Sequence, residues 1–222
     1  MSNGTYNVRR TRNPFLGMNV TLQLLLLTVI LFIVFSLLMA KEIISVDSVA
    51  IKPSNVFEGK YLWTFLTSIF MHAGVFHLFA NLLSLLSLGS LVERLIGPKR
   101  YLLFYILSGL FAGVLFVLSS LVLTSDAGLY AVGASGALFG LVGFLIIITP
   151  DLPLYVMFIP IPVKMKYAGP GILIILWLIS VAGNIPIGNT AHLGGLVAGL
   201  IYGLYMKKKY KNKAKMISRY FS

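Results

Sequence analysis

Four polar side chains stand out in an otherwise apolar sequence. Ser135 sits in Gly133-Ala134-Ser135-Gly136, a hydroxyl surrounded by residues with almost no side chain. A serine hydroxyl is a weak nucleophile until a base takes its proton. His192 is the only histidine outside the stretch 72–77, and an imidazole titrates near neutrality, as base work requires. His77 and Asn81 are spaced i, i+4, so on a helix they share a face. Both can donate hydrogen bonds to oxygen. With the Ser135 backbone N–H at a helix N-terminus, they form a candidate cradle for a developing oxyanion. The chemistry this set suits is acyl transfer through a serine.

The elements that must position these groups are membrane helices. The chain of 222 residues is 58% hydrophobic and only 11% charged, against roughly 25% charged in a soluble domain. Charge-free runs cover 13–40, 61–92, 101–125, 127–150 and 167–206. A spanning helix needs about 20 mainly apolar residues. The last run is long enough for two helices and is broken by Asn184-Ile185-Pro186-Ile187-Gly188-Asn189-Thr190. The pattern predicts an all-α integral membrane protein with six helices, near 18–40, 72–92, 101–123, 132–149, 168–183 and 191–206. The expected organisation is a basic N-terminus, 1–17, one membrane domain, 18–206, and a basic tail, 207–222. Loop 41–62, the turn Gly97 to Arg100 and the proline-rich loop 150–166 connect the helices. A soluble helical core would need polar faces that these runs lack.

Charge placement orients the bundle. Of the 18 bases, 15 lie in the N-terminus, the 94–100 turn, the 150–166 loop and the tail. The other three, Lys41, Lys52 and Lys60, share the first loop with three acids. The positive-inside rule then puts both termini in the cytoplasm, as an even number of spans requires. The net charge of +12 therefore reports orientation and not nucleic-acid binding. There is no cysteine, which excludes disulfides, thiolate metal sites and a cysteine nucleophile.

In this topology His77, Asn81, Ser135 and His192 reach a similar depth near the outer face. Polar groups at membrane depth are costly and face the bundle interior or a wet cavity. Gly136, Gly140 and Gly143 form one small-residue ridge, and Gly195, Gly199 and Gly203 another. If the ridges meet, Ser135 and His192 approach one another, and Phe139 can pack on the imidazole. No acid lies inside any expected helix. A Ser-His dyad is the simplest reading, while a triad would use Asp126 or an acid of the first loop. Each piece alone has a bland explanation: helix packing for the glycines, interhelical hydrogen bonding for the imidazoles and the amide. His72 lies off the His77 face and reads as a loop-positioning residue. A metal site from His72, His77 and His192 lacks an acidic or thiolate ligand. Trp63 and Trp177 read as interface or packing aromatics.

These residues resemble the rhomboid family of intramembrane serine proteases, in its minimal six-helix form. The resemblance spans about 61–206. It rests on Trp63, His72-Ala73-Gly74-Val75-Phe76-His77 with Asn81, Glu93-Arg94, Gly133-Ala134-Ser135-Gly136 with Phe139-Gly140, and Ala191-His192-Leu193-Gly194-Gly195 with Gly199. It implies that Ser135 is the nucleophile and His192 the general base, with His77, Asn81 and the Ser135 amide as the oxyanion hole. It further implies cleavage of single-span transmembrane proteins near their outer ends, without metal or cofactor, in the cell membrane. A first loop partly in the outer leaflet and a movable fifth helix belong to the same picture. Thr64 departs from the family, which commonly has Arg after the loop tryptophan. Two other functions fit the sequence less closely: a non-proteolytic rhomboid-like factor that binds membrane proteins, and a small transporter. The sequence carries no sign of an oligomeric state.

Overall fold

The computed structural model describes residues 19–123, 127–155, 161–183 and 187–220. The basic N-terminus, Asp126, Pro160 and the first three residues of the breaker, Asn184 to Pro186, lie outside the described residues.

Helix α1 (Val20–Ala40) is charge-free, and its first turn is held from two sides. Asn19 accepts from the Leu22 N–H at 2.9 Å. Glu93 accepts from the Val20 and Thr21 N–H groups at 2.7 and 2.9 Å and from the Thr21 hydroxyl at 2.7 Å. The unpaired N–H groups of a helix start and the positive end of its dipole favour a carboxylate. That accounts for a glutamate only 8% exposed in an apolar chain.

The segment between α1 and the second long helix is folded. It holds a 3-10 turn (Val46–Ser48) and two short helices, α2 (Pro53–Phe57) and α3 (Thr64–Thr67). Thr64 is buried and donates its hydroxyl to the Tyr61 carbonyl at 2.6 Å. The Trp63 indole donates to the Ser48 carbonyl at 2.9 Å. An antiparallel bridge pairs Ile51 with Ala131, with N–H···O distances of 3.0 and 2.8 Å. Asp47 accepts from Asn55 at 2.6 Å and from the Tyr130 hydroxyl at 2.9 Å. This region is therefore tied to the strand of chain that leads into Ser135. With Thr at position 64, the region is anchored by these bonds.

The second long helix runs as α4 (Val75–Ser84), a π-helical turn (Leu85–Gly89) and α5 (Ser90–Ile96). Gly97, at φ +84°, ends it, and Pro98 starts α6 (Pro98–Ser119). Proline suits a first helical position because its missing N–H has no partner there anyway. The expected basic turn is thus helical from Pro98 onward.

Helix α7 (Ser135–Ile148) lies innermost and is buried along nearly its whole length. Two antiparallel strands of two residues each, β1 (Pro153–Leu154) and β2 (Val163–Lys164), lie between it and α8 (Met165–Gly183). Helix α9 (Asn189–Lys209) follows, and α10 (Lys211–Tyr220) gives the basic tail a helix that composition alone did not suggest.

The molecule is mostly helical. Four described helical runs, Val20–Ala40, Val75–Ile96, Pro98–Ser119 and Met165–Gly183, are long and apolar enough to cross a membrane. Helix α7 is apolar but has only 14 residues, and α9 opens on polar residues and ends in three lysines. These two elements of the expected six fall short by length or composition. Both bury backbone against other helices. A Cβ on Gly195 would run into the Gly136 carbonyl oxygen, and one on Gly199 into that of Gly140. The two glycine ridges meet backbone to backbone, as only glycine permits.

Candidate active site

Ser135 is the first residue of α7, so its backbone N–H is among the four that a helix start leaves without an intrahelical acceptor. The approach to it is fixed by Gly133, whose φ of +122° strongly favours glycine. Its N–H donates to the Ser68 carbonyl at 2.8 Å. The next residue is held by His72, which is 1% exposed. His72 Nε2 lies 3.4 Å from the Ala134 N–H, and its Nδ1 lies 3.3 Å from the Phe70 carbonyl. One neutral tautomer satisfies both contacts: Nδ1–H donates and Nε2 accepts. The loop-positioning role expected of His72 matches this geometry.

His192 occupies the first turn of α9 and is 7% exposed. Its Nε2 lies 2.8 Å from Ser135 Oγ. The contact joins residues 57 positions apart and follows from the glycine crossing of α7 and α9, which sets the two helix starts side by side. Phe139, one turn into α7, stacks on the imidazole with centroids 4.8 Å apart and planes at 24°. That stacking fixes the ring so that Nε2 faces the hydroxyl. Nδ1 is buried and has no hydrogen-bond partner among the described residues. Asp47 and Glu58, acids of the first loop, are engaged with Asn55, Tyr130 and Lys60 instead. No described acid stands behind the imidazole, and Asp126 is outside the described residues. Nor do three His, Cys, Asp or Glu side chains converge among those described.

His77 reaches the same place from α4. A Cβ built on Gly133 would lie 2.8 Å from His77 Cε1, 3.0 Å from its Nε2 and 3.6 Å from Ser135 Oγ. The imidazole and the hydroxyl therefore flank the bare Cα of Gly133. His72 packs edge-on against His77, with centroids 5.1 Å apart. Asn81 is buried one turn further along α4 and turns its Nδ2 back to the His77 carbonyl at 2.8 Å. One amide hydrogen is so engaged and the second is left over. No hydrogen bond joins Asn81 to Ser135 or His192 among the described residues. The structure thus gathers Ser135, His192 and His77 and keeps Asn81 behind them. Chemically, a hydroxyl paired with a buried imidazole, beside a free backbone N–H and a second imidazole, is equipped for nucleophilic attack on a carbonyl.

Glu93 caps α1, and the Asp47–Tyr130 pair ties the first loop to the segment before Ser135; neither was foreseen as an anchor. The signal for Glu93 was available: an acid at the end of an apolar helix demands partners.

Comparisons with known proteins agree with the resemblance. The model of the rhomboid domain matches residues 59–209. RHOMBOID-like protein 1 of Arabidopsis thaliana is 40% identical over 157 residues, covering 69% of this chain and 37% of that protein. The rhomboid protease GluP of Bacillus subtilis (strain 168) is 33% identical over 149 residues, covering 66% of this chain and 26% of that protein. RHOMBOID-like protein 6, mitochondrial, of Arabidopsis thaliana is 32% identical over 159 residues, covering 68% and 46%. The chain spans less than half the length of each of these relatives.

Proposed function

Because this chain belongs to the rhomboid family, we propose that it is an intramembrane serine endopeptidase that cuts single-span transmembrane proteins with a Ser135–His192 dyad. The observation that carries the proposal is the 2.8 Å contact between Ser135 Oγ and His192 Nε2. In the first half-reaction Nε2 takes the hydroxyl proton as Oγ bonds to the scissile carbonyl carbon. The carbonyl oxygen becomes an oxyanion, which the Ser135 backbone N–H and His77 receive, with the spare hydrogen of Asn81 as a third donor. Collapse breaks the C–N bond, and the imidazolium returns its proton to the leaving amine. In the second half-reaction His192 deprotonates a water that attacks the acyl-serine. The new carboxylic acid leaves and the hydroxyl is restored. Phe139 keeps the ring aligned through both halves.

The same reading makes α7 and α9 the fourth and sixth spans of a bundle with both termini in the cytoplasm. Ser135 then lies below the outer surface, and a substrate arrives sideways from the lipid. Helix α8 is the element suited to admit it. Its buried residues, Met165, Ala168, Gly169 and Leu173, all lie in its first half. From Ile174 onward it presents mainly exposed apolar side chains. Trp177 lines a cavity of about 160 Å³ with Phe116 and Leu129. The membrane concerned is proposed to be the cell membrane.

The test is to incubate the purified protein with a panel of single-span membrane peptides, beside its Ser135→Ala form. Cleavage by the first and not the second supports the proposal. Equal cleavage by both removes Ser135 from the chemistry. An unaltered cellular role in the Ser135→Ala form would favour the non-proteolytic reading.

A further inference from the structure

The helix α10 begins beyond residue 209, where the match to the family ends, and it closes one end of the bundle. Ala214 is buried there, and Ile217 packs on the core. Between α10 and the junction of α5 with α6 lies a cleft of about 90 Å³. Its walls are apolar: Ile96, Phe144, Ile148 and Ile217. Two cations also line it, Arg100 and Lys213, both exposed. Arg100 is held over the Tyr210 ring at 5.6 Å.

Three features identify what fits this cleft. Residues 207–222 contain seven bases and no acid, so the surroundings attract anions. The acids of this end are already used: Glu93 by α1, and Asp151 by Lys164 and Lys166 at 3.0 and 2.9 Å. Exposed apolar side chains on two of the helices that line the cleft, Leu103 one turn after Arg100 and Leu204 on α9, suit contact with lipid. Arg100 stands within the first turn of α6, a helix long and apolar enough to cross a membrane, and the end of such a helix is where headgroups would lie.

We propose that this cleft is a binding site for an anionic phospholipid. Arg100 and Lys213 take the phosphate, and the apolar walls take the first carbons of an acyl chain. Cationic pockets between helices at a membrane face bind anionic headgroups on this principle. The volume is too small for a whole chain, so the rest of the lipid stays in the bilayer. The site is independent of Ser135 and stands whether or not the protein is a protease.

The test uses the whole protein in nanodiscs of phosphatidylcholine mixed with phosphatidylglycerol, followed by detergent extraction and native mass spectrometry of retained lipid. The protein should retain phosphatidylglycerol in preference to phosphatidylcholine. Arg100→Gln and Lys213→Gln should each lower that retention about fivefold. Lys208→Gln, whose side chain does not line the cleft, should lower it less than either. Should Arg100→Gln unfold through loss of its Tyr210 contact, Lys213→Gln alone decides. Equal retention of the two lipids overturns the proposal, as does wild-type retention in Lys213→Gln. Displacement of phosphatidylglycerol by inorganic phosphate at equal concentration would make the cleft a simple anion site and overturn it as well.

Discussion

Ser135, His192 and His77 come from three helices, and each is placed by something small. The bare Cα of Gly133 lets His77 stand beside the serine, and Phe139 pins the second imidazole. The consequence for His77 is testable. As an oxyanion donor, its replacement by Ala should lower kcat by about 10²–10³, with KM nearly unchanged, because the bond matures only in the transition state. Steady-state kinetics on a single-span substrate reads this, and a loss confined to KM would reassign His77 to substrate binding. These side chains were legible because polar residues are scarce in apolar runs and cannot be there without partners. The orientation of Asn81 was not legible. Spacing put it on the His77 face, but its preference for the His77 carbonyl is a local choice that only the folded helix reveals. Glu93 was likewise visible as a charge and invisible as the cap of α1, since its partners lie 72 and 73 residues away.

At the level of elements, glycine spacing predicted which helices touch, and the crossing of α7 and α9 bears out that expectation. A methyl on Gly199 would meet the Gly140 carbonyl, which is backbone and cannot yield. Gly199→Ala should therefore cost at least about 1–3 kcal/mol, the range for overpacking, and displace His192. Gly171→Ala in α8 meets nothing within 4 Å and should stabilise by about 0.4–1 kcal/mol. Thermal unfolding in detergent compares the two, and equal effects would contradict the backbone crossing. The first loop was less legible, because apolar periodicity says nothing about side chain-to-carbonyl bonds such as Trp63 to Ser48. Its link to the serine strand carries a pH signature. The hydrogen bond from Asn55 holds the Asp47 carboxyl below its ordinary value, partial burial opposes this, and Tyr130 and Lys52 lower it further. A depressed carboxyl stabilises the fold above its unfolded pKa and loses that contribution as pH falls through the folded value. The protection of the Ile51 and Ala131 amides, taken relative to their intrinsic exchange rates, should thus fall only in acid, and Asp47→Asn should abolish that pH dependence. An unchanged profile in the variant would detach Asp47 from the link.

The whole molecule is a membrane protein of the rhomboid family, and the proposed topology puts 15 of its 18 bases on one side together with both termini. On a chain free of cysteine, single cysteines added near residue 4 and in α10 should resist labelling from outside intact cells, and one added at Ser54 should react. Labelling at either terminus would reverse the proposed topology. The number of spans is harder to read than their order. Helix α7 is sheltered by its neighbours and therefore need not meet the length that lipid demands of an exposed helix. The proposed chemistry rests on the activation of Ser135 by His192. It is tested most directly by treating the purified protein with a fluorophosphonate and locating the adduct by mass spectrometry. Modification is expected at Ser135 alone, with its loss in His192→Ala while the fold stays intact. An adduct on another serine, or undiminished labelling of Ser135 without His192, would contradict it.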